Sequence, residues 1–346
     1  MTSHGKSDDG FAEIRPCVGQ LVAKAGLGTE FRAQRVEGGR NNRVFHLTCG
    51  PADFALKWYY QDKVSDRNRL GAEYSFCELC WSHGIETVPQ PLAADFGNQL
   101  GLYEWVRGSH LRAATPADEQ VDAALRFVGE LNRYRAEPAA EQLGPAAEAC
   151  FSIGSHLACV ERRIARLTQL ESVNGIRCTA ADFVRERLSP AWKNVAGAVT
   201  SQSSNDSDLV QRDRCLSPSD FGFHNALITD DGSVRFVDFE YSGWDDPAKL
   251  VCDFFCQVER PVPHAHWERF VESVAALTED PVKTARRCNL LLPVYRIKWA
   301  CIVLNEFLTE HASRRHFSEF EPPTDERLQQ QLEKAEQIVH TVESRW

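Results

Sequence analysis

Strand-like segments crowd before Val106, and helical periodicity fills nearly all of the chain after it. Phe31 to Val36 and Val44 to Thr48 read as strands on either side of Gly38-Gly39-Arg40-Asn41-Asn42. Gly and Asn tolerate positive φ, so that stretch is a turn signal. Phe54 to Tyr60 reads as a strand after the Cys49-Gly50-Pro51 turn, and Leu100 to Val106 as another. Between them, Asp66 to His83 carries Leu70, Tyr74, Cys77 and Trp81 at helical spacing and stops at Gly84. Pro89 and Pro91 mark an extended connection.

Beyond Val106, Thr115-Pro116-Ala117-Asp118 has the form of a helix start, and Val121, Leu125 and Val128 continue its apolar stripe. Ala181 to Val199 is predicted as a helix kinked or broken at Pro190. Thr200 to Asp208 is a polar loop. Ile297, Cys301, Leu304 and Leu308 form a further stripe, and Leu328 to Glu343 a charged terminal helix. One hairpin interrupts this helical part: Ala226 to Thr229 and Val234 to Phe239 flank Asp230-Asp231-Gly232. The expected architecture is α+β in two lobes, an N-terminal antiparallel sheet plus helix followed by a mainly helical C-terminal lobe. A length of 346 residues suffices for two such bodies.

A net charge of −10 argues against a nucleic-acid partner, which would call for basic patches. No apolar run is long enough to cross a bilayer, and Met1 to Gly10 lacks the apolar core of a signal peptide, so a cytoplasmic location is expected. The 12 cysteines then read as reduced thiols. Cys77-x-x-Cys80 and Cys252-x-x-x-Cys256 sit at helical spacing and read as small buried hydrophobes, because no second ligand pair for zinc stands nearby.

The chemistry concentrates around the hairpin. Asp220 is followed five residues later by Asn225, and Asp238 ends the second apolar run. Each residue alone would serve as a turn or cap. In this order they form a phosphoryl-transfer pattern: Asp220 orients an acceptor hydroxyl, while Asn225 and Asp238 supply oxygens to a metal that bridges ATP phosphates. The hairpin returns the chain to one cleft.

Ser217-Pro-Ser-Asp-Phe-Gly-Phe-His-Asn225, followed by Phe236-Val-Asp-Phe-Glu-Tyr-Ser-Gly-Trp-Asp-Asp-Pro-Ala248, resembles the aminoglycoside phosphotransferase and choline kinase family over roughly residues 30 to 310. Members carry His-Gly-Asp-x-x-x-x-Asn and then Asp-x-Glu or Asp-x-Asp on a protein-kinase-like fold. The resemblance implies an ATP- and Mg²⁺-dependent kinase acting on a hydroxyl of a small molecule. It makes Asp220 the catalytic base, Asn225 and Asp238 metal ligands, and Glu240 an assisting one. Lys57 matches the lysine that pairs with the α/β-phosphates, and Glu73 its ion-pair partner. Gly39, Asn41 and Asn42 fall in the nucleotide loop, and Glu104 and Val106 in a hinge whose backbone reads adenine. The chain divides accordingly into a nucleotide lobe (1–103), a hinge (104–108) and a catalytic and acceptor lobe (109–346).

Two departures stand out. Pro218-Ser219 replaces the family's His-Gly, so Ser217 or Ser219 must hold the loop. His224 stands where a Gly usually precedes the Asn, and reads as a structural loop residue, with a contact to phosphate or substrate as the alternative. The departures motivate an alternative reading, a nucleotide-binding pseudoenzyme or scaffold. The intact Lys57, Asp220, Asn225 and Asp238 oppose it. A protein kinase is disfavoured, because Asp238-Phe-Glu replaces Asp-Phe-Gly and no Ala-Pro-Glu segment follows. For the acceptor, Trp244, Asp245, Asp246, Trp267, Trp299, Asn305 and Glu306 are candidates. Tryptophan at helical spacing also reads as core, and Asp245-Asp246-Pro247 as a turn and helix start. Sugars, amino-alcohols, amino acids and aminoglycosides stay open, with a lean to sugars; oligomeric state is not legible.

Overall fold

The computed structural model describes residues 10–36, 42–61, 67–112, 115–170, 175–203, 208–308, 317 and 323–344. Helix α1 (Phe11–Lys24) leads into strands β1 (Arg32–Val36), β2 (Arg43–Cys49) and β3 (Ala52–Trp58), helix α2 (Arg69–Ser82), and strands β4 (Pro91–Asp95) and β5 (Leu100–Glu104). These strands form one sheet in the order β1-β2-β3-β5-β4, antiparallel at every pairing. Strand β4 corrects the expected extended connection: Pro91 begins the strand at the sheet edge, where a missing N–H costs no ladder bond. Helix α1 was not foreseen. Its Phe11, Ile14, Val18, Leu21 and Val22 make a helical stripe that packs with Phe45, Leu56 and Leu102 on one sheet face.

Side chains alternate across a strand, so Leu56 faces α1 and Lys57 faces away from it. Helix α2 covers that second face through Leu70, Phe76, Cys77 and Cys80. Its start moves from the expected Asp66, which lies outside the described residues, to Asn68, whose side chain accepts from the Gly71 N–H. Beyond the last helical residue, Ser82, and its cap His83, Gly84 turns the chain away at φ 73°.

Beyond β5, the chain forms β6 (Ser109–His110), α3 (Asp118–Arg133), α4 (Pro138–Glu141), α5 (Ile153–Leu167), α6 (Gly175–Phe183) and α7 (Ser189–Gln202). Helix α3 is capped by Gln120, which accepts from the Ala117 N–H, and not by the expected Thr115. The α-helix expected to kink or break at Pro190 is interrupted just before it: a π-helical turn, Val184–Leu188, joins α6 to α7 and leaves Pro190 in the first turn of α7. Then come β7 (Cys215–Ser217), β8 (Ala226–Ile228), β9 (Val234–Phe236), β10 (Gly243–Asp245) and helices α8 (Pro247–Cys256), α9 (Trp267–Ala275), α10 (Pro281–Leu304) and α11 (Asp325–Glu343). Strands β6, β8 and β9 make a small sheet, and β7 pairs with β10.

Helix α10 is the spine of this half, packing against α5, α7, α8, α9 and α11. Among the described residues no helix is long and apolar enough to cross a membrane. None of the 12 cysteines is in a disulfide, and Cys77, Cys80 and Cys252 lie fully in the core.

Candidate active site

The sequence around Asp220 and Asp238 alternates aromatic with polar residues, and the fold uses that alternation. Phe221, Phe223, Phe236 and Phe239 are buried together against Phe127 and Phe254. The aromatic rings anchor both loops, so the polar residues between them project into a cleft. The β8–β9 register pairs Ala226 with Phe236, and the Val237 N–H donates to the Asn225 carbonyl (2.9 Å). Asn225 and Asp238 thereby stand side by side, as the hairpin spacing required.

Lys57 reaches the same place from β3. Its Nζ lies 2.6 Å from Glu73 Oε1 and 3.0 Å from Asp238 Oδ1. Glu73, almost wholly buried, also accepts from the Tyr59 hydroxyl at 2.7 Å. Burial opposes the charge on Lys57, but the Asp238 and Glu73 carboxylates outweigh it and hold its pKa above the ordinary value. Asp238 has φ 72° and Ser219 φ 68°, a left-handed backbone rare for residues with side chains and frequent where function demands it.

Asp220 is turned to the cleft with 39% of its side chain exposed. Its Oδ1 lies 3.2 Å from His224 Nε2, and the Asn225 side-chain amide donates to the Asp220 carbonyl (3.0 Å). Burial pushes the Asp220 carboxyl up, but the His224 hydrogen bond and charge outweigh it and leave its pKa lowered. His224 is correspondingly raised, against its own burial, by Asp220.

The loop that lacks His-Gly is held by other groups. The Ser219 N–H donates to Ser217 Oγ (3.0 Å), and the buried Lys249 reaches Ser219 Oγ (3.3 Å) while paired with Asp245 (2.6 Å). Sequence reading named both serines and missed Lys249. Its signal was Asp245-x-x-x-Lys249-x-x-x-Asp253, charges of opposite sign at helical i,i+4 spacing.

Glu240 departs from its expected place. It is fully buried, and its carboxylate accepts from Asn42 Nδ2 (2.7 Å) and Arg69 (3.3 Å to each oxygen). A carboxylate so occupied is an anchor between α2 and the segment after Asp238 instead of a metal ligand. The Asn42 side chain is likewise engaged, since its Oδ1 accepts from the Tyr60 N–H (3.2 Å). Gly39 and Asn41 lie outside the described residues. Glu104 lines the cleft, and its carboxylate receives Arg235 of β9 (2.6 Å); its N–H donates to the Gln90 carbonyl. Val106 lines the cleft beside it.

The cleft encloses about 2200 Å³ and runs from Lys57 past Asp220 to Glu148, Asp253, Lys298, Trp299, Asn305 and Glu306. Trp244 and Trp267 do not line it; their indole N–H groups donate to Ala140 O and Asn289 Oδ1 within the body of the lobe. Asp246 caps α8 through the Ala248 N–H and pairs with His156 and Arg287, so the Asp-Asp-Pro motif is structural.

The sequence pattern of the phosphotransferase enzyme family matches residues 32–288. The chain belongs to that family. Solved structures agree in fold. A choline kinase of Streptococcus pneumoniae matches at TM-score 0.55 and 13% identity, covering 95% of this chain and 99% of that one. A macrolide 2'-phosphotransferase of Brachybacterium faecium matches at 0.54 and 18%, covering 89% and 99%. A spectinomycin phosphotransferase in complex with ADP and spectinomycin matches at 0.55 and 12%, covering 90% and 93%. At these identities the likeness is one of fold. No curated protein sequence is close enough to this chain to count as a relative. Family membership places the chain among phosphotransferases, and the shared fold is kinase-like and two-lobed.

Proposed function

We propose that this phosphotransferase moves the γ-phosphoryl group of Mg·ATP to a hydroxyl of a small polyhydroxylated acceptor, of sugar type. The observation that carries the reading is the meeting of Lys57, Glu73 and Asp238 within 3.0 Å across 181 residues of sequence, beside Asp220. Residues 1–103 would bind the nucleotide, 104–108 act as hinge, and 109–346 carry catalysis and the acceptor.

The donor set suits Mg²⁺. Asp238 is 36% exposed and Asn225 offers a neutral oxygen, both hard ligands. Among the described residues no group of three or more His, Cys, Asp or Glu forms a metal cage. Mg²⁺ needs none, since it is held by one or two carboxylates plus phosphates and water. Asp238 and Asn225 would hold it, and it would neutralise charge on the phosphate oxygens. Lys57, aimed by Glu73, would pair with the α/β-phosphates. Asp220 would orient the acceptor hydroxyl and accept its proton, and its lowered pKa keeps it ready to do so. Backbone groups of Glu104 and Val106 would meet adenine.

Paired charges favour an uncharged acceptor. Asp253 is taken by Lys298 and Trp299, and Glu306 is forked by Arg327. Such a wall offers hydrogen bonds rather than a strong net field, which suits hydroxyls. Twelve cysteines without a disulfide suit a reducing cytoplasm. The pseudoenzyme alternative rests on Pro218-Ser219, and the Ser217 and Lys249 braces weaken it.

The test is purified protein with Mg·ATP against pooled sugars, amino-alcohols, amino acids and aminoglycosides, read by mass spectrometry for phosphate gain. Product with wild type, and none with Asp220→Asn or a folded Asp238→Ala, is the expected result. ATP binding without product across the pool would favour the scaffold reading, and equal product from Asp238→Ala would end the kinase assignment.

A further inference from the structure

The residue before Asn225 was expected to be a structural part of its loop, yet its ring touches the carboxylate assigned as base. His224 Nε2 lies 3.2 Å from Asp220 Oδ1, four residues back along the loop. A carboxylate only accepts, so Nε2–H is the donor and the bond defines the ring's protonation at that nitrogen. The imidazole is 14% exposed, whereas Asp220 is 39% exposed. The ring is thus packed and the carboxylate is not. An aspartate this open has several staggered rotamers available, and a fixed donor selects among them.

A second observation ties the ring to its loop. Gly222 has φ 169°, an extended backbone open to any residue, so glycine is not required by conformation. It is required by space: a Cβ at 222 would sit 2.8 Å from His224 Nδ1 and 3.1 Å from Cε1. The imidazole occupies the volume that a side chain at 222 would fill. Nδ1 is buried there without a hydrogen-bond partner among the described residues, so the ring's seat is set by packing on Gly222 and by the bond to Asp220. Gly222 and His224 work as a pair, one making room and the other filling it.

We infer that His224 is a positioning residue that fixes the Asp220 carboxylate toward the acceptor side of the cleft through Nε2–H, with Gly222 as its obligatory seat. The inference rests on Asp220 acting as base. The reacting groups stay as proposed, and His224 acts through Asp220.

The experiment compares His224→Ala, His224→Gln, Gly222→Ala and the Gly222→Ala/His224→Ala double variant. Turnover is measured with Mg·ATP and the acceptor found in the pool to gain phosphate, or with Mg·ATP and water alone, alongside Mg·ATP affinity by calorimetry and crystal structures of each protein. Misplacing a reacting group by a fraction of an ångström to an ångström costs up to about 100-fold. H224A should therefore lose roughly 10- to 100-fold in kcat with Mg·ATP affinity within about twofold, and its crystals should show the Asp220 carboxylate rotated. H224Q places an amide N–H near the position of Nε2 and should recover most of the loss. G222A should fall about as far as H224A, and the double variant no further, because both remove one contact.

Undiminished turnover in H224A, an unmoved Asp220 carboxylate, an H224Q as poor as H224A, or full additivity in the double variant would each overturn the inference. Failure of the underlying reading would look different: Asp220→Asn would then turn over like wild type.

Discussion

Replacing Glu240 by glutamine keeps the size of the side chain and removes its charge. In the fold this strands Arg69, 5% exposed, whose guanidinium faces Glu240 at 3.3 Å from both oxygens. Removing one partner of a buried ion pair costs about 3–5 kcal/mol, because the other charge stays desolvated. Two features put this pair at the low end. The contacts are longer than the ~2.8 Å of a strong charge-assisted bond. Arg69 also keeps the Tyr241 hydroxyl at 3.2 Å and the Tyr241 ring at 5.3 Å. The expected loss is about 3 kcal/mol, and at ~2 °C per kcal/mol for a chain of this size the melting temperature should drop by roughly 6 °C. Thermal unfolding of wild type and E240Q measures it, and a titration of Mg²⁺ against ATP turnover measures the competing role. A buried anchor predicts lower melting with an unchanged Mg²⁺ requirement. Wild-type melting with a several-fold higher Mg²⁺ requirement would refute this reasoning and return Glu240 to the metal.

Other consequences follow from single contacts. Lys57→Met should cut turnover by about 100-fold or more by removing the charge aimed at the phosphates, with steady-state kinetics as the measure; turnover within tenfold of wild type would contradict the role given to Lys57. Ser217→Ala leaves the Ser219 N–H in the buried loop without its acceptor and should destabilise by about 1–3 kcal/mol, read by denaturant unfolding. A change under half a kcal/mol would show that Lys249 alone holds the loop. Glu148 gives a pH signature. Burial pushes its carboxyl up, but Arg163 and Lys298 outweigh it and hold the pKa at about 2, below the ordinary 4.5. A carboxylate lowered in the folded state contributes stability that is present above pH 4.5 and lost as pH falls toward 2. Glu148→Gln should flatten the fall in melting temperature across that acidic window; parallel curves for the two proteins would contradict it.

Much of the fold was legible because local physics dictated it. Apolar runs between turn signals marked β1, β2, β3 and β5, Asp231-Gly232 marked the hairpin, and the β8–β9 register then had to bring Asn225 beside Asp238. The alternation on β3 likewise sent Leu56 and Lys57 to opposite faces. What stayed hidden depended on partners distant in sequence. Pro91 reads as a connection until β5 pairs with it. Helix α1 carries a clear apolar stripe, but only the sheet face shows what the stripe covers. Glu240 has the spacing of a metal ligand, and its direction was decided by Arg69 and Asn42, about 170 and 200 residues away, which outbid the cleft for its carboxylate. His224 reads as a loop residue until the turn closes on Asp220 and Gly222 leaves room for its ring. Sequence order determined which residue types enter the cleft, because strand period and turn chemistry are local. Tertiary packing decided which of those residues keep a free oxygen or nitrogen once inside, because the competition for each charged group is settled only among its neighbours in space.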